Sequence, residues 1–191
     1  MPARRPPAHH PAALLPPFDD DGRLTCVVET ARGSRAKYRY DDATGTFTVA
    51  HVLALGLAFP CEFAFVPGTR AGDGDPLDVL VLFDDATFPG CVLPSHPLGV
   101  LRAEQDDGTG GAERNDRIVA VAAHAHLYRD LRALDDVPAH LLQELEHFLV
   151  AYNDARGKRF TILGRGGPDD ARRLVRESVP RRGRTRATER A

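Results

Sequence analysis

Three carboxylates fall within six positions of the segment GDGDPLDVLV, residues 72–81: Asp73, Asp75 and Asp78. An apolar run, Val79 to Leu82, follows directly. Like charges placed at the mouth of a buried strand repel one another and raise one another's pKa. A hard divalent cation removes that penalty, and Mg²⁺ binds to one or two carboxylates while keeping water and substrate phosphates as its other ligands. On an extended strand Asp73 and Asp75 face the same way, and Pro76 permits a bulge that re-aims Asp78. The competing reading of this segment alone is a turn of solvated acids. An EF-hand loop is excluded, because Leu77 stands where a ligand belongs and no glycine occupies the sixth position.

A second signal is the scarcity of lysine. Only Lys37 and Lys158 occur among 25 basic residues. An ammonium is a compact point charge and a guanidinium a flat fork, so a lysine kept against such a bias points to a specific task. His124 and His126 are two apart but lack a third ligand in phase, and read as surface or packing residues.

These groups must be positioned by a modest fold. The chain has 191 residues, 42% hydrophobic and 27% charged, the mix of a soluble globular domain with tails. Strand patterns run over 24–30, 36–41, 46–53, 59–66, 77–83, 97–103, 117–123 and 158–164, with 36–41 and 46–53 forming a hairpin. Apolar residues at 141, 142, 145, 148, 149 and 152 define a helix capped by Asp136 and ending near Gly157. A second helix starts at Pro168. Many short strands followed by two helices predict a mainly β fold with some α, a small β-barrel with helices against it. Residues 1–20 read as a disordered Pro-rich extension, 21–179 as the folded domain and 180–191 as a disordered Arg-rich tail.

Three cysteines without paired spacing imply reduced thiols and a cytoplasmic protein. No apolar run reaches the ~20 residues that span a bilayer, so no membrane partner is expected. A net charge of −2 argues against a nucleic-acid-coating body, and the arginine tail alone is a weak case for one. The Gly/Asp-rich loop QDDGTGGAERND, residues 105–116, lacks the ending of a phosphate-cradling P-loop.

Two further segments bear on the acids. ETARGSRAKYRYD, residues 29–41, contains Glu29 and Lys37, and FPCEFAFVPGT spans 59–69. Together with DGDPLDVLV they resemble family I soluble inorganic pyrophosphatases, which carry E-I-P-x-G-S-R-x-K-Y-E, Y-P-x-N-Y-G and D-G-D-P-hydrophobic-D. The likeness runs from about residue 24 to 179. It implies an OB-like five-stranded β-barrel flanked by two or more helices, a homo-oligomer, and hydrolysis of pyrophosphate with Mg²⁺. By the same resemblance Asp73 and Asp78 are metal ligands, Asp75 handles the attacking water, and Glu29 helps hold a further metal. Lys37 and Tyr152 contact phosphate, and His51 is the third substrate-binding residue, able to bind phosphate only when protonated.

The chain departs from the family pattern in several places. Arg39 replaces a Glu, His51 an arginine that binds phosphate, Phe63 a tyrosine, and Asn153 a lysine. Gln105 and Asn115 stand where two metal-binding aspartates belong, and Arg117 where a lysine belongs. Asn115 and the adjacent Asp116 are the expected ligands there, with Asp106 and Asp107 near enough in a slack loop to restore an acidic pair. The alternative reading is a catalytically impaired relative that binds a phosphate compound or a protein.

Overall fold

The chain is described here by a computed structural model, which describes residues 12–180. The strands are β1 (Leu24–Thr30), β2 (Ala36–Asp41), β3 (Thr46–Val52), β4 (Glu62–Phe65), β5 (Asp78–Leu82), β6 (Val92–Asp106), β7 (Glu113–Arg114), β8 (Arg117–Ala122) and β9 (Arg159–Gly166). The α-helices are α1 (Ala139–Asp154), between β8 and β9, and α2 (Pro168–Glu177). Strands β1, β4, β5, β8 and β6 pair in that order, and β6 returns to β1, closing a ring of five. Only β5–β8 is parallel within it. β1 and β8 are buried along their whole length, and both are rich in apolar residues, with Thr25, Glu29 and Thr30 in β1 and Arg117 in β8 as their buried polar members.

The β2–β3 hairpin stands apart as its own two-stranded sheet. Its turn is built by Asp41, whose carboxylate accepts from Ala43 N at 2.9 Å and Thr44 Oγ1 at 2.7 Å. Gly45 closes the turn at φ +66°, a conformation open to glycine at little cost. This turn chemistry was legible in the sequence. The 15-residue β6 was legible only in its middle, because Pro94, Pro97 and Gly99 punctuate it. The register shift between Pro97 and Gly99 shows how the strand absorbs them, as a bulge.

Three sequence expectations need correction. The strand expected from Phe59 begins at Glu62; residues 59–61 pack instead against the β1–β2 turn, with Phe59 N donating to Ser34 O at 3.0 Å. Asp136 does not cap α1, where Pro138 holds the cap position. The Asp136 carboxylate accepts from Arg132 N and Ala133 N, and so closes the short 3-10 turn before the helix. Residues 105–116 are not all loop, since β6 runs into them and β7 returns against it.

α1 presents Leu142, Leu145, Phe148, Leu149 and Tyr152 to the core. Phe59 gathers Phe63, Phe148 and Tyr152 at centroid distances of 5.5, 5.1 and 5.6 Å. That aromatic cluster fixes one end of the helix against the ring. Cys26, Cys61 and Cys91 are free thiols, and burial pushes Cys26 up to about 12. Among the described residues no helix is long and apolar enough to cross a membrane. Most of the Pro-rich extension and of the Arg-rich tail lies outside the described residues. From residue 12 on the chain runs along the ring, where Thr25 N donates to Pro17 O and Phe18 bridges Leu24.

Candidate active site

Residues 72–77 form a turn, and β5 starts only at Asp78. The acids therefore converge by a route other than strand alternation. Gly74 sits at φ +87°, Ala71 N donates to Asp75 O at 2.7 Å, and Asp75 N donates to the Asp73 carboxylate at 3.1 Å. The bend carries Asp73 and Asp75 to the side on which Asp78 leaves β5. All three line one cavity of about 770 Å³, together with Glu29 and Lys37.

The charges in this cavity are largely matched. Glu29, at the end of β1, accepts from Lys37 Nζ at 2.6 Å and from Tyr40 N at 2.9 Å. Both members of that ion pair are buried, and Lys37 Nζ lies 3.9 Å from the centroid of Phe63. Phe63 thus offers the ammonium its π face but, unlike a tyrosine, no hydroxyl. Arg39 meets Asp75 at 2.5 Å, and Arg117 meets Asp78 at 3.1 Å. Asp73 sits above the usual carboxylate range, first because of partial desolvation and then because Asp78 and Asp75 repel a third charge; the bond from Asp75 N and the nearby Arg117 oppose this.

The region around residue 115 is rearranged. Asn115 is buried, its carbonyl oxygen accepts from Arg117, and its amide donates to Gln105 Oε1 at 3.3 Å. Both amides line the cavity, and so does Asp107, which hydrogen bonds from Thr109 hold below the ordinary carboxylate range. Asp116 is placed differently from the expectation. Its carboxylate is held by Arg114 at 2.7 Å and by Ala103 N at 2.9 Å, and it does not line the cavity. The residue lies in the link between β7 and β8, where Ala103 N and Arg114 capture its carboxylate outside the cavity. Asp106 is likewise turned to Gly108 N. His124 and His126 do not line the cavity either.

Tyr152 projects from the buried face of α1 into the cavity, and burial raises its phenol above the ordinary value. Asn153 faces the other way, buried, with its amide donating to Leu149 O at 2.8 Å. His51 lines the cavity 5.7 Å from the Tyr152 ring, and its Nε2 is buried without a partner. Burial first, then Arg156 and Lys37, hold His51 below its ordinary value. At neutral pH it is therefore a neutral imidazole. We expect an NMR titration of its ring protons to give a midpoint below 6.5. The sign for stability follows from that shift: the unfolded chain takes up the proton first, so stability contributed by neutral His51 is lost as pH falls below about 6.5. A midpoint at or above that value would contradict the assignment.

The donor chemistry suits a hard divalent cation in an open site. The oxygens of Asp73, Asp75 and Asp78, with the amide oxygens of Gln105 and Asn115, are the right class, and the crowding felt by Asp73 is what a cation relieves. Among the described residues no group of three His, Cys, Asp or Glu forms a ready-made cage. Arg117, paired with Asp78, competes with a cation for that carboxylate.

Arg156 and Lys158 also line the cavity; the scarcity of lysine marked Lys158 without giving it a role, and Arg156, beyond the helix that carries Tyr152, was missed. Gly157 marked the end of the helix, but the amphipathic pattern stops before Arg156 and gives no sign of which way its side chain turns.

Comparison with known proteins gives a consistent result. A family model described as "Inorganic pyrophosphatase" matches residues 26–182. A protein named inorganic pyrophosphatase from Methanosarcina acetivorans is 37% identical over 155 residues, covering 81% of this chain and 89% of that protein. Another of that name, from a Nostoc species, is 36% identical, covering 86% and 95%. Among solved structures, the inorganic pyrophosphatase from Thermus thermophilus superposes with a TM-score of 0.77 at 31% identity, covering 86% of this chain and 94% of that one.

Proposed function

This chain belongs to the inorganic pyrophosphatase family, and from that premise we propose that it hydrolyses inorganic pyrophosphate to two phosphates with Mg²⁺, using the cavity lined by Asp73, Asp75, Asp78 and Lys37. The observation that carries this reading is the convergence of those three carboxylates on the cavity that also holds the buried Lys37–Glu29 pair. Free thiols support a cytoplasmic location. The reading includes self-association into a homo-oligomer.

Asp73 and Asp78 would hold the metal, with Asn115 and Gln105 offering uncharged oxygens and Glu29 acting near the Lys37 end. When bound, such ions neutralise the substrate's charge and lower the pKa of water in the site. The protein's own groups supply the rest. Asp75 orients the attacking water and accepts its proton, as an exposed carboxylate whose only ion-pair partner among the described residues is Arg39. Lys37 is poised to leave or share Glu29 and meet phosphate oxygen. Tyr152 offers a phenolic O–H to the same anion. His51, being neutral, can donate one hydrogen bond but no charge.

Phosphate release from pyrophosphate tests this directly. Activity with millimolar Mg²⁺, abolished by excess EDTA and restored by adding Mg²⁺ back, is the expected result. No release at any Mg²⁺ concentration would refute the hydrolytic reading and favour a binding protein.

A further inference from the structure

We propose that Arg156 is a pyrophosphate-contacting residue that also positions Tyr152; this rests on the hydrolytic reading of the same cavity. The backbone shows how it reaches there. α1 ends at Asp154, and the chain then tightens: Arg156 N and Lys158 N both donate to Asn153 O, at 2.9 and 3.0 Å. Gly157 at φ +71° completes the reversal. Arg156 is thereby turned back over the last helical turn. Its Nη1 donates to the Tyr152 hydroxyl oxygen at 3.3 Å, and its guanidinium carbon lies 5.2 Å from the Tyr152 ring centroid.

The distribution of charge singles this residue out. Lys37 is matched by Glu29, Arg39 by Asp75 and Arg117 by Asp78. Lys158 has Asp107 as a neighbouring charge. Arg156 lines the cavity exposed, with no carboxylate at ion-pair distance among the described residues. It therefore presents a positive charge that an incoming anion need not win from an acid. The neighbouring candidates for the task do not serve it. Asn153 is uncharged and turned into the core, and His51 is kept neutral.

The guanidinium is the right chemistry. Its planar fork can meet two oxygens of one phosphoryl group, which a single ammonium cannot. It also acts through Tyr152. Because the guanidinium donates to the phenol oxygen, the phenol's own proton stays free to point at a phosphate oxygen. The nearby positive charge opposes the upward push of burial on the phenol and makes it a better donor. One residue beyond a helix end thus sets both a charge and a hydrogen-bond donor on the substrate.

The test compares Arg156→Ala, Arg156→Lys and Tyr152→Phe with wild type, by steady-state kinetics with Mg²⁺ and by calorimetric binding of the non-hydrolysable imidodiphosphate. Loss of a charge-assisted contact predicts a rise of roughly tenfold or more in KM and in the imidodiphosphate Kd for Arg156→Ala, with kcat within about threefold. Arg156→Lys recovers part of the affinity, because the charge returns without the fork. The His51 titration midpoint rises in Arg156→Ala, since one charge that holds it down is gone. Melting temperatures stay within a few degrees, as expected of an exposed side chain. Unchanged KM and imidodiphosphate Kd in Arg156→Ala would overturn the assignment while leaving hydrolysis intact. Weakened imidodiphosphate binding in a wild-type background that releases no phosphate would support Arg156 as an anion contact and sink the hydrolytic reading instead.

Discussion

Asp75→Asn is expected to lower kcat for pyrophosphate by about 10² to 10⁴, the usual contribution of a positioned general base. The amide keeps the shape and can still accept a hydrogen bond from Arg39, but it cannot take a proton from water. KM should move far less than kcat. The Arg39–Asp75 pair is exposed on both sides, and such pairs contribute about 0–1 kcal/mol, so the thermal midpoint should hardly shift. Steady-state kinetics over a range of Mg²⁺ concentrations decide the matter. A variant that turns over within threefold of wild type would remove Asp75 from the chemistry, and the two remaining acids would then have to supply the base.

The second large effect falls on stability and binding together. Lys37→Met strips the buried Glu29 of its ion-pair partner and leaves the carboxylate with the backbone bond from Tyr40 N. Breaking a buried pair from one side typically destabilises by about 3–5 kcal/mol, because an uncompensated charge remains. Lys37→Met should therefore unfold at markedly lower denaturant and bind imidodiphosphate weakly. The double variant Lys37→Met with Glu29→Gln removes both charges. It should recover most of the stability and none of the binding. Recovery of both would mean that the lysine is only structural, and equal loss in both variants would mean that the ion pair is not what destabilises the single change.

How much of this was readable beforehand depends on the physical range of each signal. The acids, the rare lysine and Glu29 were readable because short motifs set them in local sequence. β1 and β8 were readable because full burial leaves short segments rich in apolar and β-branched residues. The limits of β6 were not, since its prolines break the local pattern while pairing with β1, β8 and β9 holds the strand together. The fate of residues 105–116 also escaped. Which of Asn115 and Asp116 turns inward is decided in the link between β7 and β8, where Arg117 holds Asn115 and Ala103 N with Arg114 holds Asp116. Arg39 opposite Asp75 and Arg117 opposite Asp78 are contacts between segments 36 and 39 residues apart along the chain. No periodicity encodes them.

The closed ring has a temporal consequence. Its seam joins Val27 to Val92 and Leu24 to Ser95, so β1 waits until nearly half of the domain has been made before it finds its last neighbour. The parallel seam between Val79 and Ile118 comes later still, and Tyr152 arrives after both. Non-local pairings of this kind place assembly in the slow, millisecond-to-second class. In that interval the edge of β1 that faces β6 is unpaired, and an open apolar edge is where nascent chains are most prone to aggregate.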